Sequence, residues 1–218
     1  MDQFWRYLSG VFELIGRAYR LDPAALTWVK ESPFAIWVAV GVALLAALSV
    51  MIGHAVVLLV NRISGWWFAA GLLLSAFWLV VLHAVESVVL WALGSLISGQ
   101  QISYPVVLAG VLVATAPQVW GFLVLIPYMG TAINRLLSAW SAIVLWAVTA
   151  GTFGVGRWTA LAMVAASWLV MQVLSTVCAP WISRALALWF YRMTGRPIRV
   201  SGSDVLNGRP MITSEVLA

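Results

Sequence analysis

From Phe34 to Val60 the chain carries no Asp, Glu, Lys or Arg, and from Ser64 to Ile97 it carries one, Glu86. At about 1.5 Å of rise per helical residue, each block can cross a bilayer hydrocarbon core of about 30 Å. Lipid offers backbone amides no hydrogen-bond partner, so such blocks fold as helices or as closed barrels. A barrel strand alternates polar and apolar residues, whereas these blocks are continuous. Composition agrees: 63% of residues are hydrophobic and 9% charged, against about 25% charged in a soluble domain. The expected fold is all-α. It is a polytopic membrane helix bundle of about five transmembrane helices, with interfacial amphipathic helices at both ends.

Three regions follow. Residues 1–31 form an N-terminal amphipathic interfacial region, 32–179 a five-span transmembrane domain, and 180–218 an interfacial helix with a polar tail. In the first region, Phe4, Leu8, Phe12, Ile15 and Tyr19 share one side of a predicted helix over 3–20, and Trp5 sits at the apolar edge. Asp2, Arg6, Glu13, Arg17 and Arg20 lie mostly opposite. That pattern predicts a helix lying flat on the bilayer, with Arg17 and Arg20 at headgroups. Asp22-Pro23 and Ser32-Pro33 read as helix starts.

The block from Ser64 to Ile97 is too long for one upright span and too short for two with a turn, so it reads as one long helix. Tyr104-Pro105 opens the third span, which runs to Ile126 with a kink expected at Pro117. The fourth covers Ala132 to Ala150. The fifth runs from Thr159 to Val177 and stops at Ala179-Pro180. Ile182, Leu186, Trp189 and Met193 then mark a second, short interfacial helix. The first apolar block begins too far into the chain, and is too long, for a secretory leader.

The net charge is +5, carried mainly by Arg. No basic helix or aromatic-basic pattern accompanies it, so the expected partner is an anionic lipid surface and not nucleic acid. Arg6, Arg17, Arg20, Lys30 and Arg157 fall on one side of a five-span topology. Arg62, Arg135, Arg184, Arg192, Arg196, Arg199 and Arg209 fall on the other. Trp5, Trp28, Trp66, Trp67, Trp158 and Trp181 fall at span ends, as an aromatic belt requires. Trp120, Trp140, Trp146 and Trp168 fall within spans. Gly110 with Ala114, and Ala162 with Ala166, are small-residue pairs that let helices approach closely.

His83 and Glu86 are the chemically loaded residues. At i,i+3 spacing they share one helix face, and ionisable groups inside a membrane mark a functional site by default. A metal half-site, a proton or ion relay with His54, Gln118 or Gln172 nearby, and a structural hydrogen-bonded pair are the competing readings. The structural reading places Glu86 near the edge of the hydrocarbon core. Gly151, Gly154 and Gly156 lack the strand–helix context of a dinucleotide fingerprint. The sequence contains no Ser-His-Asp, HExxH or P-loop pattern, so no cofactor and no enzymatic activity are expected.

The stretch "TAPQVWGFLVLIPYMGTAINRLLSAWSAIVLWAVT", with Pro117, Ile126, Pro127, Gly130 and Trp140, resembles the Yip domain of Ypt/Rab-GTPase-interacting membrane proteins, in particular its bacterial branch. The resemblance spans roughly residues 5–177. It implies five membrane helices and a cytoplasmic N-terminus, in a bacterial inner membrane or an internal membrane. The long acidic and aromatic N-terminal region tied to GTPase binding in eukaryotic relatives has no counterpart in this sequence. The expected function is therefore a non-enzymatic membrane scaffold or accessory subunit that binds lipid and partner membrane proteins, or a second copy of itself. The alternative is a small transporter or ion channel with a polar path around His83, Glu86 and Gln118.

Overall fold

The structure is a computed structural model that describes residues 2–21, 35–53, 66–126 and 128–194. The described residues form helices α1 (Asp2–Tyr19), α2 (Ala35–Gly53), α3 (Trp66–Ser98) and α4 (Tyr104–Ala114), a 3-10 helix (Ala116–Leu125), α5 (Gly130–Phe153) and α6 (Arg157–Thr194). Five segments are long and apolar enough to cross a membrane: α2, α3 from Leu72, α4 with the 3-10 helix, α5, and α6 to Cys178. The all-α membrane bundle expected from the sequence is the observed fold. The start signals at Asp22-Pro23 and Ser32-Pro33, and the end of the first apolar block, lie outside the described residues.

α2 sits at the centre of the packing, against α1, α3, α4 and the 3-10 helix. Its buried stripe is Ala35, Val38, Ala39, Val42, Ala43, Ala46 and Ala47. Small side chains at helical spacing allow backbones to approach, which is how membrane helices gain contact when lipid competes equally for large apolar groups. The approach is tightest where Gly53 and Gly121 face each other. A Cβ on Gly121 would meet Val50 Cγ2 at 2.7 Å, and one on Gly53 would meet the Gly121 carbonyl oxygen at 2.5 Å. Of the two small pairs, Gly110 and Ala114 are buried in α4, while Ala162 is exposed and Ala166 half-buried.

The third span is discontinuous. Pro117 lacks an N–H and its ring collides with the preceding turn of an α-helix, so α4 stops at Ala114. A simple kink was expected at this point; instead the chain continues as a ten-residue 3-10 helix. Such a length is uncommon for that geometry, and side chains stabilise it. The Ser49 hydroxyl donates to the Val119 carbonyl at 2.6 Å and accepts from the Phe122 N–H at 3.0 Å. The Tyr19 hydroxyl donates to the Ala116 carbonyl at 3.2 Å.

α1 docks on the bundle. Val11, Leu14, Ile15 and Ala18 are buried in the same cluster as the α2 and α4 stripes. This corrects the single membrane face read from periodicity: Ile15 belongs to the protein-facing side and Leu8 is half-buried. Phe4, Trp5 and Phe12 remain 62%, 65% and 64% exposed. On a 100° helical wheel Trp5 and Phe12 occupy the sector beside the docked face, while Phe4 shares the direction of that face at the exposed start of the helix. Arg20 lies in the remaining, polar sector, as do Glu13 and Arg17, which pair at 2.6 Å. The Tyr7 hydroxyl donates to the Trp37 carbonyl near the start of α2, whereas Tyr19 reaches Ala116 beyond the end of α4. α1 therefore meets the bundle near the start of α2 at its Tyr7 turn and beside the break in the third span at its Tyr19 end.

At the other end, the expected stop at Ala179-Pro180 and the separate short helix after it are replaced by one helix running through to Thr194. Pro180 deletes one backbone bond, but Ala, Leu and Arg beyond it favour helix strongly enough for the backbone to continue. α6 has 38 residues, or about 57 Å. α5 likewise runs further than expected, ending at a left-handed Gly154 with φ 60°.

Two outcomes follow for stability. Ser49→Ala removes both partners of the 3-10 backbone and should cost about 1–3 kcal/mol, measurable as a lower Tm in detergent, with Ser49→Thr retaining most of it. Burial holds the Tyr19 phenol above its ordinary value of 10.0, partly offset by Trp120. The neutral phenol therefore contributes stability that is present below pH 10 and lost as pH rises through the folded-state value. Tyr19→Phe should abolish that alkaline component of the Tm–pH curve.

Candidate functional site

Four spans surround one cavity of about 520 Å³. α3 contributes His83 and Glu86, the third span Val111, Ala114, Thr115 and Gln118, α5 the stretch Ser138 to Trp146, and α6 Leu161, Val164, Ala165 and Trp168. α3 and α5 each pack against α6 and α4, but not closely against each other, and the cavity is the gap between them. Each contribution comes from the middle of its span. The site therefore lies between the ends of all four apolar segments, beside the break in the third.

His83 Nδ1 lies 3.0 Å from Glu86 Oε2, within hydrogen-bond distance. Toward a carboxylate that ring nitrogen carries the proton, which leaves Nε2 and the second carboxylate oxygen available. Both side chains are about one-fifth exposed. The contact is the paired arrangement that the structural reading expected, and both residues lie within the apolar segment Leu72–Ser98. The next turn of α3 is pinned locally. The Ser87 hydroxyl donates to the Ala84 carbonyl at 2.7 Å and lies 3.1 Å from the Tyr104 hydroxyl, and the Trp91 indole donates to the Ile102 carbonyl at 2.8 Å. These bonds fix the rotation of α3 and with it the direction of the His83–Glu86 face.

The three residues singled out from sequence, His83, Glu86 and Gln118, thus line one cavity. Of the other proposed neighbours, Gln172 is exposed and outside the lining, and His54 lies outside the described residues. Ser138, Ser141 and Thr115 were not anticipated. Isolated hydroxyl residues carry no signal until four helices are placed together. The Thr115 hydroxyl donates to the Leu112 carbonyl at 2.7 Å, whereas the buried Ser141 Oγ has no hydrogen-bond partner among the described residues. Among those residues, no group of three or more His, Cys, Asp or Glu is placed to hold a metal ion.

Two of the in-span tryptophans line the cavity. Trp146 is fixed by its indole N–H donating to the Arg157 carbonyl at 2.7 Å, and Trp168 is exposed on its outer side. Trp120 packs beside Phe122 with ring centroids 6.0 Å apart, and Trp140 faces outward. Trp5 and Trp158 are exposed at helix ends, as a belt requires; the side chains of Trp66, Trp67 and Trp181 and the whole of Trp28 lie outside the described residues. Of the residues that carried the family resemblance, Pro117 sits at the break, Ile126 closes the 3-10 helix and Gly130 opens α5, while Pro127 is outside the described residues. The chain matches no protein-family model, no curated protein and no solved structure.

Ser138, Ala142, Ile143, Leu161, Ala165 and Trp168 are exposed at mid-span depth. The cavity wall formed by α5 and α6 thus includes residues that are also exposed on the bundle surface. If the unpaired Ser141 hydroxyl serves a guest and not the fold, Ser141→Ala should leave Tm unchanged or raise it. Thr149→Ala, which removes a buried hydroxyl bonded to the Leu145 carbonyl at 2.7 Å, should lower Tm by an amount corresponding to roughly 1 kcal/mol.

Proposed function

We propose that the protein is a non-enzymatic integral membrane protein that works as a small transporter, with the cavity around His83, Glu86 and Gln118 as its solute site. The observation supporting this reading is the convergence of an ionisable pair and several hydroxyls from four spans, between the ends of their apolar segments. Burying such groups in lipid is costly, by about 2.5–3.5 kcal/mol for an acidic residue at a helix centre on insertion scales. A purely structural role would be served by apolar packing. A bacterial inner membrane and a cytoplasmic N-terminus accompany this reading, as the Yip-like resemblance implies. A bundle of five spans is small for a translocation path, so a homo-oligomer is the working form proposed.

A second reading, a scaffold or accessory subunit bound to lipid and partner membrane proteins, is favoured by α6. Its backbone helix runs 38 residues, Arg157–Thr194, more than a hydrocarbon core of about 30 Å requires. Reconstitution separates the two. The transport reading expects wild-type proteoliposomes to pass protons, small cations or organic ammonium ions faster than empty vesicles, and Glu86→Gln to return the rate to the vesicle background. Equal flux from wild type and empty vesicles sinks it and leaves the scaffold.

A further inference from the structure

We infer that the cavity selects lipophilic cations: a protonated amine carried on an apolar or aromatic body. The inference deepens the reading of this cavity as a solute site and rests on it. Glu86 is the acidic residue of the lining, His83 Nδ1 lies 3.0 Å from its Oε2, and no Lys or Arg is among the lining residues. A Glu86 carboxylate thus has no Lys or Arg counter-ion in a medium where an unpaired charge is expensive. An anionic guest would add to that charge and find no counter-ion. A cation pairs with it.

The remaining lining residues point the same way. Trp146 and Trp168 are among the lining residues, and an indole ring's quadrupole attracts ammonium groups. Gln118, Ser138 and the unpartnered Ser141 supply oxygen acceptors for N–H donors. A metal ion is the poorer occupant, because no cluster of three ligating side chains exists among the described residues. Val111, Ala114, Ile143, Leu145, Leu161 and Val164 supply the apolar wall. The volume of about 520 Å³ lies inside the range of about 300–1,000 Å³ typical of sites for small organic ligands.

The test uses the full-length protein in phosphatidylcholine nanodiscs, with empty nanodiscs as the partition control. Three probes of matched body are compared by equilibrium dialysis: phenylbutylammonium, phenylbutanol and phenylpentanoate. The expected result is that the ammonium binds about tenfold more tightly than the alcohol, and the carboxylate least of all. Glu86→Gln should collapse the ammonium–alcohol ratio toward unity, and Trp168→Ala should weaken the ammonium more than the alcohol. Equal binding of ammonium and alcohol to wild type overturns the charge selectivity while leaving the cavity a solute site. Preference for the carboxylate overturns the selectivity too. Binding of all three no better than to empty nanodiscs overturns both the selectivity and the solute site. Selective binding without flux in proteoliposomes removes only the transport step. The wild-type comparison decides the selectivity even if a variant folds poorly.

Discussion

The Ser49 hydroxyl, held between the Val119 carbonyl and the Phe122 N–H, is the interaction on which the arrangement of the bundle turns. A backbone that leaves α-geometry inside a membrane must find other partners for its amides, because lipid supplies none. Pro117 forces that departure, and Ser49 on α2 answers it. The answer requires α2 and the 3-10 helix to touch backbone to backbone, which the alanine stripe and the Gly53–Gly121 contact permit. With the 3-10 helix held there, Thr115 and Gln118 line the cavity opposite His83 and Glu86. One proline thus opens the cavity, and one hydroxyl keeps the opening from becoming a defect.

Much of this was legible in the sequence, for reasons that can be named. The apolar blocks announce their spans because length and charge depletion are properties of the chain alone. The long α3 was read as one helix on those grounds and is one. His83, Glu86 and Gln118 were recognisable because an ionisable or amide side chain in a run of Val, Leu and Ala has no cheap explanation. What failed shares a different cause. Periodicity shows that α1 has an apolar side but cannot say whether protein or lipid covers it, so Ile15 was grouped with Phe4 and Phe12. Proline statistics favoured a stop at Ala179-Pro180, but the helix-favouring residues on both sides outweighed one missing hydrogen bond. Ser138 and Ser141 were silent because a serine in a helix ordinarily satisfies itself on the preceding turn.

α1 shows how one short amphipathic segment can serve three surroundings. Its docked sector meets α2 and the third span, its aromatic sector stays open beside it, and its Glu13–Arg17 sector faces outward. Exposed ion pairs of that kind contribute little, at about 0–1 kcal/mol. Burial of Val11, Leu14 and Ile15 outweighs them, at roughly 1.5 kcal/mol or more for each large side chain. Because Tyr19 bonds to the first residue of the 3-10 helix, the surface helix and the cavity wall share a single joint.

The cavity-lining residues that α5 and α6 leave exposed on the bundle surface change what concentration means for this protein. A guest that enters from the aqueous phase is governed by its molarity there. A guest that enters from the bilayer is governed by its mole fraction among the lipids. Dilution with buffer would then barely alter occupancy, whereas added lipid would compete by thinning the guest across more membrane. Detergent tails, present in large excess and of similar girth, would be natural rivals for the same gap. For a site of this kind, the membrane is the solvent, the reservoir and the competitor at once.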